Sequence, residues 1–224
     1  LFIAYEGAGD ALVHTQVLPY LRGMRKAGIR LSLMTFERRP SPSAALNRRR
    51  ARCCMTEAGI AWLPLRYHKR PSALVTLFDV LCGIVAGVAE VRRRRLAIVH
   101  ARSLVPGLMA LVIAKVTGAR MLYDARNLWT HWKAESGVWR RGSALVRLAW
   151  KIERTCLKSA AAVVVLTDAM RRYVLQNGYV RPHAPLEVIP CCVDLQRFTL
   201  PPETRTPHQR ASGAPFTLVY AGSL

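Results

Sequence analysis

Residues that could bind or position a ligand follow several of the apolar runs in this sequence. They are a glycine pair, a histidine, two arginines, three carboxylates and a tryptophan: Glu6, Gly7, Gly9, Asp10, His100, Arg102, Asp124, Arg126 and Trp129. The glycines lie in a long loop that feeds a helix N-terminus, an arrangement that suits an anionic ligand. Arginine binds phosphate or carboxylate through paired hydrogen bonds, and an ionised aspartate accepts hydrogen bonds from hydroxyl groups. These residues can act together only where the fold brings the ends of the runs to one edge.

Short apolar runs alternate with helical patterns along the chain. Strands are predicted at 1–5, 30–36, 60–65, 96–101, 119–124, 161–166 and 186–190, and helices at about 15–27, 43–58, 72–95, 105–117, 140–159 and 168–177. In the runs at 96–101 and 161–166, the residues that would face either side of the sheet are mostly apolar, which is typical of parallel strands covered on both faces. The alternation predicts an α/β fold with a doubly wound parallel sheet. Ligands bind such sheets beyond the carboxyl ends of the strands, where the candidate residues stand.

Each candidate residue also has a purely structural explanation. A plain turn accounts for Gly7-x-Gly9, because this pair falls short of the full G-x-G-x-x-G dinucleotide fingerprint. His100 could be a core histidine at a strand end, and Asp124 could simply pair with Arg126. Their position at the carboxyl ends of the predicted strands, which form the rim of the sheet, favours the functional interpretation more than their residue types do.

Two further segments are interpreted as structural. Thr167 followed by Asp168 predicts the N-cap of the helix that begins there. Three tryptophans lie among polar residues in the segment 127–139, and this mixture is more typical of a loop than of a buried face. The helix predicted over 15–27 must begin near Thr15, because Pro19 is tolerated only in a first turn.

The charge of the chain implies anionic partners. Its 224 residues include 34 Lys and Arg against 13 Asp and Glu, a formal net charge of +21. Such a balance suits nucleic acid, an anionic membrane surface or phosphorylated substrates. One basic cluster, together with apolar neighbours such as Met55, is predicted to hold the protein at the inner face of the plasma membrane: Arg48, Arg49, Arg50 and Arg52. A solvated surface is the alternative for this cluster.

The cysteines and the most apolar segment narrow the class of protein. None of the six cysteines forms a C-x-x-C pair, which favours reduced thiols in a cytoplasmic protein and disfavours a zinc site. The segment 73–91 is nearly long enough to span a bilayer. Because Asp79 lies in its first half, a buried amphipathic helix is the favoured interpretation, with a spanning helix as the alternative.

The sequence changes character near its end. The segment 191–215 is rich in proline and polar residues and is predicted to be a linker after a domain that covers 1–190. The segment 216–224 is predicted to be the first strand of a second domain.

Several stretches together resemble the bacterial glycosyltransferases of family 4, which have the GT-B fold. The resemblance covers the first helix with Gly28 and Glu37, the central strands with their exits, the crossing segment and the first donor-domain strand: 16–24, 99–107, 123–129, 163–169, 188–198 and 218–224. The crossing segment reads Ile-Pro-Cys-Cys-Val-Asp, where the family usually has Ile-Pro-Asn-Gly-Val-Asp. Asp124 stands where many members place a histidine near the transferred sugar.

The resemblance implies a function and roles for the rim residues. It identifies the chain as the acceptor-side domain of a metal-independent, cofactor-free, retaining glycosyltransferase with a nucleotide-sugar donor and a glycan or lipid-linked acceptor. The implied roles are catalysis for His100, Asp124 and Arg126, contact with the donor diphosphate for Gly7, Gly9 and Asp10, and acceptor binding for Arg102 and Trp129. The family's Glu-x7-Glu motif belongs to the donor domain, so the chain alone is expected to be inactive. The product would belong to cell-envelope polysaccharide or glycolipid synthesis.

Two other classes of protein remain open at this point. A basic nucleic-acid-binding module fits the net charge, but the sequence has no recognition motif or stacking platform. A Rossmann-type oxidoreductase fits the alternation, but the glycine fingerprint is incomplete and Glu37 is the sole candidate for the ribose-binding acid. The glycosyltransferase interpretation is therefore preferred, with no nucleic acid among its partners.

Overall fold

A computed structural model of the protein describes residues 1–38, 42–68, 73–138, 140 and 142–192. Seven parallel strands form one sheet in the order β3-β2-β1-β4-β5-β6-β7. They are β1 Phe2–Ile3, β2 Ser32–Glu37, β3 Ala61–Arg66, β4 Ile98–Arg102, β5 Arg120–Ala125, β6 Ala162–Val165 and β7 Leu186–Val188. The helices are α1 Leu18–Lys26, α2 Pro42–Glu57, α3 Ala73–Arg94, α4 Leu104–Thr117, α5 Trp129–Glu135, α6 Ala144–Ser159 and α7 Asp168–Gln176. The predicted strand at 216–224 and all but the first two residues of the predicted linker lie outside the described residues.

Helices cover both faces of the sheet. Because successive side chains of a strand point to opposite faces, Phe2 and Ile3 belong to different cores. The core on the α1 and α2 side includes Phe2, Val17, Leu21, Leu33 and Met55. The core on the α3, α4 and α6 side includes Ile3, Phe36, Met109, Ile113, Tyr123 and Leu157. The predicted doubly wound α/β fold is thus confirmed, with all seven strands near their predicted positions.

The first helix begins earlier than predicted. Helical turns start at Ala11, and a π-helical segment, Val13–Val17, leads into α1. Pro19 stands in the first turn of α1, as its missing N–H requires, but the π turn before it keeps the chain helical upstream. The loop after β1 is therefore shorter than the sequence suggested.

The segment predicted as a loop contains a helix. The short helix α5 packs against α6, and Thr130 within it is fully buried. A seven-residue helix is not stable alone, so tertiary contacts stabilise it and no local pattern announces it. The N-cap prediction, in contrast, is confirmed, because Thr167 Oγ1 accepts a hydrogen bond from the N–H of Met170 at 3.2 Å.

Helix α3 has one buried face and one exposed apolar face. Within the described residues, the span Leu74–Arg94 is the one helix long and apolar enough to cross a membrane, and 33% of its most apolar window is buried. Asp79, whose charge was the reason for predicting an amphipathic helix, lies on the buried face of the helix. The outer face nevertheless exposes large apolar side chains: Leu74, Leu77, Phe78, Leu81 and Val85. The helix is therefore less buried than its sequence suggested.

Glycines allow α4 to approach its neighbours closely. A Cβ atom added at Gly107 would lie 2.6 Å from Cε2 of Tyr123 and 3.2 Å from Sγ of Cys156, both of which are buried. Real Cβ atoms essentially never approach another atom to less than 3.0 Å, so the contact with Tyr123 would force a shift. Gly107 therefore lets the start of α4 lie directly on β5, which supplies part of the polar rim.

Candidate functional site

The polar residues meet at the point where the strand order reverses. Connections from β1 and β4 leave on opposite faces of the sheet, so a crevice forms beyond their carboxyl ends. Arg102 ends β4 and pairs in register with Asp124 of β5. His100 pairs in register with Phe2, whose side chain belongs to the α1 and α2 core. By the alternation of strands, the candidate residues of β4 and β5 face the π-helical segment.

Two arginines converge on one amide in this crevice. Nη2 of Arg102 donates to Oε1 of Gln16 at 2.5 Å, and Nη2 of Arg126 donates to the same oxygen at 3.2 Å. Arg102 is buried, and the side chain of Arg126 is 10% exposed. Burial and the charge of Arg126 lower the pKa of Arg102, while Glu6 and Asp124 oppose that change. Gln16, which the sequence gave no reason to select, is the centre of the cluster.

Asp124 lies between Arg126 and His100. Its Oδ2 atom is 3.7 Å from Nη1 of Arg126 and 3.9 Å from Nε2 of His100. Its other oxygen, Oδ1, is buried and has no hydrogen-bond partner among the described residues, and the same holds for Nε2 of His100. The pairing of Asp124 with Arg126 is thus real, yet it leaves an acceptor oxygen available. An ionised carboxylate in this state can accept a hydrogen bond from a ligand hydroxyl.

The glycine loop is held by carboxylates of the protein itself. The Gly7 N–H donates to Oδ2 of Asp10 at 3.0 Å, and the Ala8 N–H donates to Oε1 of Glu37 at 2.9 Å. A diphosphate could use these two N–H groups only by displacing a carboxylate. Gly9 makes no backbone or side-chain hydrogen bond within the described part of the chain. The predicted contact with a donor diphosphate stays a prediction, and of this loop Gly9 fits it best.

A partly buried acid, Glu6, precedes Gly7 in the loop. Burial raises the pKa of Glu6, and the positive charge of Arg102 opposes the rise. Oε2 of Glu6 is buried without a partner among the described residues.

The prediction that Trp129 binds the acceptor stays a prediction. The structure describes only the backbone of this residue, which is the first residue of α5.

The segment after β7 returns to the rim. The hydroxyl of Tyr20 donates to the carbonyl of Pro190 at 3.2 Å, and Nη2 of Arg126 lies 3.0 Å from Sγ of Cys191. Sequence reasoning singled out Cys191 only as a departure from the family pattern and missed Tyr20. These contacts join residues that are 170 and 65 positions apart, so no local pattern reveals them.

A second polar group, also missed from the sequence, lies at the exits of β1 and β3. Nδ1 of His68 is 2.6 Å from Oδ1 of Asp79, and the hydroxyl of Tyr5 donates to Oδ2 of Asp79 at 3.2 Å. Burial and the nearby Asp79 raise the pKa of Tyr5. A buried carboxylate here orients a half-exposed imidazole. The acidic residue inside an apolar helix was the available signal, but it did not identify the partners.

Glu37 connects the loop to the sheet, and Glu37→Gln is expected to lower the free energy of unfolding by about 1–2 kcal/mol. Its Oε1 also accepts from the Thr35 hydroxyl at 2.6 Å, and its Oε2 lies 3.8 Å from Nε of Arg48. Glutamine would keep one acceptor but turn an amide donor toward Arg48. Urea denaturation measures the change. Arg48→Gln is the control, since a half-exposed ion pair contributes less than about 1 kcal/mol. Equal effects of the two substitutions would contradict this account.

Backbone strain lies directly after Arg102. Ser103 has φ 72° and ψ −178°, a region that is open essentially only to glycine. Its side chain makes no capping bond at the start of α4. Ser103→Gly is therefore expected to raise the free energy of unfolding by about 1 kcal/mol, since relief of strain exceeds the entropy cost of glycine.

The control for this prediction is Ser143→Gly at the N-cap of α6. Ser143 has φ −65°, and its side chain accepts a hydrogen bond from the Val146 N–H. Replacing it should lower the free energy of unfolding by a few tenths of a kcal/mol. Thermal or urea denaturation of both variants measures whether the free energy of unfolding rises or falls. A loss of stability in Ser103→Gly would show that the backbone at Ser103 is not strained.

A doubly wound parallel sheet with a buried cluster of arginine and carboxylate side chains at its switch point is typical of α/β domains, which bind ligands at this position when they bind them. The model of the glycosyl transferase 4-like domain matches residues 13–192, and the chain belongs to this family. No curated protein sequence matches the chain significantly.

Solved structures share the fold at low sequence identity. A glycosyltransferase from Rickettsia africae is 16% identical with a TM-score of 0.51, and the match covers 91% of this chain and 46% of that one. A sucrose-phosphate synthase from Thermosynechococcus elongatus is 14% identical with a TM-score of 0.58, covering 87% and 48%. HepE from Anabaena, solved in complex with UDP-glucose, is 11% identical with a TM-score of 0.52, covering 90% and 46%. The chain thus spans about half the length of these proteins.

Proposed function

We propose that this chain is the acceptor-side domain of a retaining glycosyltransferase that moves a sugar from a nucleotide-sugar donor to a glycan or lipid-linked acceptor. The single observation that carries the proposal is the Asp124, Arg126 and His100 group at the switch point of a glycosyl transferase 4-like domain. A solved neighbour that binds UDP-glucose supports the donor class. The acceptor would belong to cell-envelope polysaccharide or glycolipid synthesis, and the reaction would need neither a metal nor a cofactor.

The geometry of Glu37 weighs against a nicotinamide-dependent oxidoreductase. In such enzymes an acid at this position binds a ribose hydroxyl. Here both Glu37 oxygens face the protein, because one accepts from Ala8 and Thr35 and the other lies beside Arg48. A binding role for Glu37 would therefore require the loop after β1 to come apart.

The test is a comparison of this chain with the two-domain enzyme, meaning the same domain joined to a donor-binding domain. Both are incubated with a panel of nucleotide sugars and lipid-linked or glycan acceptors. Transfer by the two-domain enzyme alone, with the anomeric configuration of the donor retained in the product by NMR, is the expected result. Robust transfer by this chain alone, or a product of inverted configuration, would overturn the proposal.

A peripheral position at the inner face of the plasma membrane is part of the proposal. The four arginines of α2 would bind anionic lipid, each contributing about 1 kcal/mol near the surface. Arg48 and Arg52 lie over the ring of Trp62, at 5.5 and 5.9 Å from its centroid. Arg49, Arg50 and Arg52 are exposed, and Arg48 is partly buried. Met55, expected beside them on that surface, is buried in the core instead. The α2 surface therefore contributes charge without that apolar contact.

Liposome flotation tests this surface. Binding should require anionic lipid, weaken as salt rises, and fall when the four α2 arginines all become glutamine. The comparison variant is Leu77→Ser/Leu81→Ser/Val85→Ser, because α3 covers the opposite face of the sheet and exposes apolar side chains. Equal binding to neutral vesicles, or a loss confined to the α3 variant, would show that the α2 cluster is not the membrane contact.

A further inference from the structure

The arginine pair at the switch point has an unusual set of partners. Both guanidiniums donate to one neutral oxygen, Oε1 of Gln16, and Arg126 also contacts the sulfur of Cys191. No carboxylate among the described residues accepts a hydrogen bond from either guanidinium. A pair that served the fold alone would be expected to face a carboxylate in the two-bond geometry that arginine prefers.

The neighbouring carboxylates balance the charge of the two arginines without accepting their hydrogen bonds. Asp124 stands 3.7 Å from Arg126, and the charge of Glu6 acts on Arg102. At these positions they offset part of the cost of burying two positive charges, which is large for unpaired ions. They do so without occupying the N–H groups that converge on Gln16. The carboxylates thus balance the two positive charges, while the N–H donors of both arginines point toward Oε1 of Gln16, a neutral acceptor that a ligand could replace.

The backbone around the pair is shaped to hold it. Gln16 belongs to the π-helical segment, and such turns occur frequently at functional sites. The strained Ser103 directly follows Arg102, and strain of this kind also concentrates at ligand sites. The first irregularity contains Gln16 and the second adjoins Arg102, which donates to Gln16. Together they set the position of Gln16 and of Arg102 at the crevice.

We propose that Arg102 and Arg126 bind an anionic group of a substrate, a phosphate or a carboxylate, and that Gln16 is the positioning residue that aligns the two guanidiniums. The anion would displace Oε1 of Gln16 and take a hydrogen bond from each arginine. This inference rests on the proposed glycosyl transfer and narrows its substrates. The group belongs either to an anionic acceptor or to the diphosphate of the donor.

Isothermal titration of the 224-residue chain with inorganic phosphate, pyrophosphate, glucuronate and neutral glucose tests the binding. The anions are expected to bind and glucose is not. Arg102→Gln and Arg126→Gln should each weaken anion binding about tenfold or more, as loss of a charge-assisted hydrogen bond does. Arg22→Gln is the matched control, because Arg22 is exposed on α1 and its loss removes the same charge. It should leave the affinity within about twofold.

Gln16→Glu distinguishes a binding subsite from a structural cluster. The new carboxylate would pair with both arginines, so melting temperature should rise by a few degrees while anion binding is lost. Because this variant is expected to stabilise the fold, it remains informative if either arginine variant fails to fold. Undiminished anion binding in Gln16→Glu, equal weakening by Arg22→Gln, or no anion binding at all would overturn the proposal.

Steady-state kinetics of the two-domain enzyme separates the two sources of the anion. If the acceptor supplies it, Arg102→Gln raises KM for the acceptor alone and glucuronate or phosphate binds the chain as well as pyrophosphate does. If the donor supplies it, KM for the nucleotide sugar rises and pyrophosphate binds best. If the chain binds anions but the two-domain enzyme transfers no sugar, the proposed function is refuted and the anion subsite is still supported. Transfer without anion binding would refute the subsite alone.

Discussion

Replacing Asp124 by alanine in the two-domain enzyme is expected to lower kcat about 100-fold while the melting temperature changes by only a few degrees. The reason is geometric. Oδ1 of Asp124 is buried and has no partner among the described residues, while Oδ2 is oriented by Arg126 and His100. A reacting hydroxyl in the crevice would donate a hydrogen bond to this oxygen, and positioned acid or base groups contribute about 100-fold or more to the rate.

The same measurement on Arg126 gives the second half of this prediction. Arg126→Ala should lower the rate as strongly, and Arg126→Lys should not restore it, because an ammonium lacks the planar guanidinium that places Nη2 on Gln16 and Nη1 beside Asp124 at once. Asp124→Asn keeps the shape of the side chain and serves as the control for packing. If the Asp124 and Arg126 variants keep the rate of the unmodified enzyme but lose many degrees of melting temperature, the pair is structural and the site lies elsewhere.

Gly107→Ala is expected to lower the free energy of unfolding by about 2 kcal/mol, although alanine is the better helix former. The added Cβ would lie 2.6 Å from the Tyr123 ring, which is fully buried and cannot move aside without disturbing the core. The shift would also reach β5, whose last residues carry Asp124. Urea denaturation followed by circular dichroism measures the loss.

Gly23→Ala is the matched control, because it makes the same substitution inside another helix. A Cβ at Gly23 in α1 would meet no atom within 4 Å. The substitution should therefore raise the free energy of unfolding by about 0.5–1 kcal/mol, the usual gain from glycine to alanine in a helix. Opposite signs for the two substitutions are the expected result. If both stabilise the protein, the contact between α4 and β5 is looser than the structure shows.

The fold was predictable because its signals are local. Strands buried on both faces read as continuous apolar runs, as at 161–166, and β6 forms there. Thr167 caps α7 for a reason contained within four residues. The short helix α5 and the π-helical segment were not predictable, since the first depends on packing against α6 and the second on an irregular hydrogen-bond pattern.

The candidate site was predictable in part for the same reason. A rule about strand ends selects Arg102, Asp124 and Arg126 from the sequence, and the structure brings these three residues together. Gln16 and Tyr20 could not be selected, because their importance arises from partners 86 and 170 residues away. The sequence likewise does not reveal that Asp10 and Glu37 accept hydrogen bonds from the N–H groups of Gly7 and Ala8, because these contacts depend on the folded loop.

The position of β1 has a consequence for how the protein is made. This strand lies in the middle of the sheet, paired with β2 on one side and with β4 on the other. While the protein is being translated, the β4 side of β1 remains an unpaired edge until β4, which begins at Ile98, has left the ribosome. Closing so long a loop makes this pairing a slow step. Arg102 and Arg126 can donate to Gln16 only after this pairing, so an assembled site marks a chain in which β1 and β4 have paired.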